Sequence, residues 1–194
     1  MISKDREYRS FDFKSEDEGM IIDGTPIVFD EPTVMYEIEG IKYYEVIRRG
    51  ALEGAKIDDV VLNVDHTGKP AAKTKNRTLK LEVNDRGVDI VADLSKNATG
   101  RDLYEDIKNG FFDKMSFAFT VTDETYDRNT RTRTITKIDR LYDVSAVTVP
   151  AYNQTSIQAR SFFDMEIEKE LLEKRNTEIA KEKLKLKLRL EKGA

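Results

Sequence analysis

The chain has 194 residues, of which 39% are hydrophobic and 36% charged, and its formal net charge is −4. It has no cysteine and one histidine, so disulfides and thiol chemistry are excluded, a zinc site would need an all-carboxylate shell, and no metal or cofactor is expected. The mild acidity argues against a dedicated nucleic-acid binder, and no apolar run approaches the roughly 18 residues of a membrane span.

The length fits one domain with an appendage. Much of the excess charge lies after Asp164, and the opening residues lack the apolar core of a signal peptide, which points to a soluble cytoplasmic protein. Residues 1–18 are polar, with Tyr8, Phe11 and Phe13 interleaved, and read as a frayed arm or a first edge strand. Residues 19–29 read as strand, turn, strand about Asp23-Gly24, and residues 34–46 as a second strand region turning at Glu39-Gly40. Residues 60–64 form a buried-type strand that ends in a sharp exit over residues 65–70, which places His66 at the end of a core strand. Residues 78–83 and 88–94 alternate and pair as a hairpin. Residues 99–109 predict a helix, with Thr99 as N-cap, Leu103, Tyr104 and Ile107 on one face, and Gly110 as the stop. A strand through Ser116, a polar hairpin tip over residues 123–131 and a β-prone return strand to Val149 complete a mostly antiparallel body with one or two helices.

In the run from Lys114 to Phe119, Met115, Phe117 and Phe119 alternate with Ser116 and Ala118. Alternate strand residues point to opposite faces, so the small residues share one face and leave room for an approach to the Ser116 hydroxyl. A serine is a weak nucleophile until a neighbouring base takes its proton, and His66 is the only imidazole available. Asp143, on the return strand with Ser145, is a candidate to orient that ring. Each residue also has a plainer reading: Ser116 as a small strand residue, His66 as a turn residue, and Asp143 as a loop anchor or a partner of Arg140.

Four ordered stretches carry a resemblance. They are Glu45-Val46-Ile47-Arg48-Arg49-Gly50-Ala51-Leu52, Asp65-His66 after an apolar strand, Asn109-Gly110 through Met115-Ser116-Phe117-Ala118-Phe119, and Leu141-Tyr142-Asp143-Val144-Ser145-Ala146-Val147-Thr148-Val149-Pro150-Ala151. From about Gly19 to Arg160 the chain resembles the prohead proteases of tailed bacteriophages, relatives of the herpesvirus assemblins. The resemblance implies an α+β, mostly antiparallel fold with an assemblin-like β-barrel core, surrounding helices and a C-terminal helical tail. It implies a serine endopeptidase with Ser116 as nucleophile, His66 as general base and Asp143 as the third member, with Asp139 and Asp65 as alternatives. Its substrate would be the scaffold-like extension of the major capsid protein precursor, and the protease itself, inside the procapsid in the host cytoplasm. A non-catalytic capsid assembly or scaffold-binding protein on the same fold is the rival reading.

Residues 1–161 then form the protease domain and residues 162–194 a charged helical tail. Met165, Leu172, Ile179 and Leu186 recur every seven residues, as in a coiled-coil seam, while the second seam position is charged. One apolar stripe suggests a face buried only against a partner, so the tail is expected to mediate homo-oligomerisation or scaffold docking.

Overall fold

Short runs with β-branched and aromatic residues build ten strands, and segments rich in charged residues and Leu build two α-helices, in the computed structural model, which describes residues 6–15, 19–148 and 157–192. The strands are β1 (Glu7–Ser15), β2 (Ile21–Val28), β3 (Thr33–Ile38), β4 (Ile41–Ile47), β5 (Val61–Val64), β6 (Thr67–Lys73), β7 (Leu79–Val83), β8 (Gly87–Asp93), β9 (Lys114–Asp127) and β10 (Thr132–Val147). The helices are α1 (Ala98–Lys108) and α2 (Ile157–Lys192). The chain divides into two compact units, Met1–Gln158 and Ala159–Ala194.

The first unit is one sheet of order β3-β4-β10-β9-β1-β2-β8-β7, with β5 branching from β10 and β6 pairing with β5. This is a strand-rich α+β fold. Most pairings are antiparallel, but β10 runs parallel to both β4 and β5. Among the described residues no pairing joins β3 to β7, so the path is open rather than a closed barrel. Met115, Phe117 and Phe119 are fully buried in the core with Val144, Ala146 and Leu62, as their alternation requires. Burying one such side chain contributes about 1.5–3 kcal/mol.

β1 is not an edge strand. It lies between β9 and β2, with Ser10 opposite Ser116. Two of its charged residues, Glu7 and Arg9, belong to a buried ion cluster. Arg9 meets both oxygens of Glu45 on β4, at 2.6 and 2.5 Å. Arg133 on β10 meets both oxygens of Glu7, at 2.6 and 2.7 Å, and also bonds Glu45 and Glu124. Fork-on-fork pairing of this kind satisfies planar guanidinium groups that burial would otherwise penalise. Burial pushes the Glu7 carboxyl up, but hydrogen bonding from Arg133 and the charges of Arg9 and Arg133 outweigh it and bring the group down to about 2. The cluster clamps the first strand onto the hairpin that carries Ser116.

Other local expectations also changed. Asp23-Gly24 is not a turn: β2 runs straight through it and takes up the irregularity as a bulge before Ile27. The cap of α1 is Asn97 rather than Thr99. Its Oδ1 accepts from Gly100 N at 2.8 Å, and its Nδ2 donates to Ala71 O on β6 at 2.9 Å. A Cβ on Gly100 would stand 2.4 Å from Leu94 O and 3.1 Å from Ala71 O, so glycine lets the first turn of α1 lie against β6. The second unit is helical throughout its described length. Met165, Leu172 and Ile179 of its sevenfold stripe are exposed, as are Leu171, Leu184 and Leu188; the side chain of Leu186 lies outside the described residues.

Candidate active site

The hydroxyl of Ser116 is carried on β9, in the middle of the sheet. Ser116 pairs with Ser145 on β10, and Ser145 pairs with Asn63 on β5, so the three residues form one cross-strand row. Cross-strand partners lie on the same face of the sheet, opposite to Met115, Phe117 and Phe119. Asp143 stands two residues before Ser145 on that same face, opposite Ala118 and Val61. The small-residue face is therefore a polar strip crossing the longest hairpin of the fold.

His66 reaches this strip from a two-residue hairpin. Val64 pairs with Thr67, and the two residues between them, Asp65 and His66, have φ of 46° and 58°. Positive φ at both central positions is the type I′ requirement, usually met by Asn-Gly or Asp-Gly. Holding a histidine there costs on the order of 1–3 kcal/mol, and such strain gathers at functional positions. Asp65 anchors the turn. Its N–H donates to Ala146 O at 2.8 Å, and its carboxylate accepts from Thr148 N at 3.0 Å and from the Thr148 hydroxyl at 3.3 Å. The sharp exit expected over residues 65–70 is the turn at Asp65 and His66 alone, and β6 starts at Thr67; Asp and His are enriched in left-handed turns, which was the readable signal for it.

The structure brings His66 and Asp143 together: Nδ1 of the ring lies 2.5 Å from Oδ1 of the carboxylate. An ionised carboxylate only accepts, so Nδ1 is the donor in this contact, and in the neutral ring that leaves the lone pair on Nε2, the tautomer a general base needs. Asp143 is buried, 4% exposed. Ser145 Oγ donates to the same Oδ1 at 2.9 Å. The other carboxylates weighed for this place are committed elsewhere. Asp139 is half-exposed and faces Lys56 at 3.3 Å, while Asp65 holds Thr148.

Ser116 is in the row but not in the hydrogen-bonded set. Its residue is 1% exposed, and its Oγ has no hydrogen-bond partner among the described residues. The room expected above the small-residue face is absent in this state. Asn63 Oδ1 is a second buried polar atom in the same row without a partner among the described residues. An orphaned buried hydroxyl costs about 1–3 kcal/mol. Sequence reasoning did not find the role of Ser145 or the row through Asn63, because a register is needed to see either.

A family model described as caudovirus prohead serine protease matches residues 7–169. Among solved structures, the bacteriophage T4 capsid assembly protease is similar at 14% identity, over 67% of this chain and 98% of that one, with a TM-score of 0.39. No curated protein matches the chain.

Proposed function

This chain belongs to the caudovirus prohead serine protease family, and on that premise we propose that it is the serine endopeptidase that cleaves the capsid protein precursor during procapsid maturation. The observation that carries the reading is the His66–Asp143 pair, on the same face of the sheet strip as Ser116. In the proposed mechanism His66 Nε2 takes the proton of Ser116 as Oγ attacks the scissile carbonyl. Asp143 stabilises the imidazolium that forms and keeps the ring in its tautomer. The imidazolium then protonates the leaving amine, and a water, activated by the same ring, hydrolyses the acyl-serine ester. Ser116 and His66 tighten into contact when substrate or assembly arranges the site, since catalytic hydrogen bonds are commonly loose without substrate.

The substrate we assign is the scaffold-like extension of the major capsid protein, together with the protease's own chain, cleaved inside the procapsid in the host cytoplasm. No described helix is long and apolar enough to cross a membrane. We further propose that this open sheet curls into an assemblin-like, barrel-shaped core. Residues 162–194 act as a tail that self-associates or docks on scaffold through the exposed Met165, Leu172 and Ile179. A non-catalytic assembly protein on this fold is the second reading, favoured by the burial of Ser116. Co-expression with the capsid precursor separates the two: Ser116→Ala and His66→Ala should each stop processing in a folded protein. Full processing by either would leave the assembly reading standing.

A further inference from the structure

Two serines stand side by side in the row, and their hydroxyls are used differently. Ser145 is fully buried and spends its proton on Asp143 Oδ1 at 2.9 Å. Ser116 Oγ has no hydrogen-bond partner among the described residues. We infer that Ser145 is a positioning residue: through Asp143 it orients His66 and holds the ring in the tautomer that leaves Nε2 unprotonated. The inference rests on the protease reading of Ser116 and His66, but it can be measured apart from it.

A carboxylate on a strand can rotate about two side-chain bonds, and a single donor fixes one direction only. Asp143 Oδ1 takes two, from a rigid neighbour two residues along its own strand and from a ring presented by the β5–β6 hairpin. The Ser145 bond connects residues whose backbones are already fixed by β9 and β5 on either side, so it does not depend on the two-residue turn that carries His66. It therefore pre-sets the carboxylate, and the imidazole docks onto an acceptor already aimed at it. The same bond removes Ser145 from competition as a nucleophile, because its proton faces a carboxylate and not the ring. Small displacements of such a unit are costly to the chemistry, so losing the Ser145 hydroxyl should slow attack by Ser116 about tenfold or more.

The single histidine makes the test direct, since labelling histidine with nitrogen-15 gives one ring to observe. The full chain carrying Ser116→Ala, which prevents self-cleavage, is compared with and without Ser145→Ala, Ser145→Cys and Ser145→Thr. With Ser145 intact the ring nitrogens should report a single tautomer protonated at Nδ1. In Ser145→Ala the population should spread to the other tautomer and the hydrogen-bonded Nδ1 proton should be lost to exchange. Ser145→Cys, nearly the same size but a weak donor, should behave likewise and carries the test if the alanine variant does not fold. Ser145→Thr keeps the hydroxyl and should restore the signal. In parallel, on chains with Ser116 present, Ser145→Ala should label with a fluorophosphonate at Ser116 about tenfold more slowly than the unaltered chain, and Ser145→Thr at its rate. A folded alanine or cysteine variant with an unchanged tautomer would overturn the inference. Failure of the unaltered chain to label at all would instead count against the protease reading, with the nitrogen signals still deciding the role of Ser145.

Discussion

Asp143→Asn separates charge from shape at the candidate site. Asparagine has the same outline, and its amide oxygen can still accept from Ser145, so the strip should stay folded. What disappears is the negative charge facing the imidazolium that forms when Ser116 gives up its proton. The contact of 2.5 Å between Nδ1 and Oδ1 puts the two charge centres about 4 Å apart. At an effective dielectric of about 20 that attraction is worth about 4 kcal/mol, or roughly a thousandfold in rate. Loss of the charge-assisted bond should cost the folded state less, about 1.5–3 kcal/mol net. The assay is the initial rate of precursor processing in co-expression, or of fluorophosphonate labelling, with a thermal melt of the same preparation. Processing within tenfold of the unaltered protein would refute the reasoning, as would an Asp139→Asn variant that is the more damaging of the two.

The buried cluster predicts acid lability. Because the folded-state Glu7 carboxyl lies at about 2, below its ordinary 4.5, its contribution of about 3 kcal/mol is present above pH 4.5 and is lost as pH falls from there toward 2. Urea midpoints should drop over that window, and Glu7→Gln should flatten the drop; parallel curves would contradict the assignment. Arg133→Met should destabilise by about 3–5 kcal/mol at neutral pH, since it leaves Glu7 and Glu45 buried with half their partners gone; a loss under 1 kcal/mol in the same titration would mean the cluster is not a clamp. A chain of residues 1–161 should fold and show the same melt as the body of the full chain, while sedimenting as a smaller species. Identical sedimentation together with normal prohead maturation would reduce the tail to a solvated helix.

Much of this site was legible from residue types. The alternation of Met115, Phe117 and Phe119 with Ser116 and Ala118 read correctly as a strand with bulky residues on one face and small ones on the other, although both faces are buried. Asp65-His66 at the end of an apolar strand read as a functional corner, although its type I′ geometry and the strand after it did not. What escaped was long-range. Glu7, Arg9, Glu45 and Arg133 are scattered along the chain and look solvated one by one; only the folded sheet brings β1, β4 and β10 within reach of one another across the intervening β9, where the four neutralise each other out of water. The same holds for β1, whose charges suggested an edge, and for Ser145, whose partner is set by its strand and whose neighbours are set by register. Asn97 was missed as the cap of α1 because Thr99, a good cap residue, stands two positions later, and contact with Ala71 on β6 decides between them.

The central claim is that one particular hydroxyl, Ser116 Oγ, is made nucleophilic by His66. The direct measurement is the site of covalent attachment when the full chain is treated with a fluorophosphonate and digested for peptide mass mapping. The account predicts an adduct on Ser116, absent in His66→Ala and strongly reduced in Asp143→Asn. An adduct on Ser145, or labelling of Ser116 that persists undiminished without His66, would contradict it.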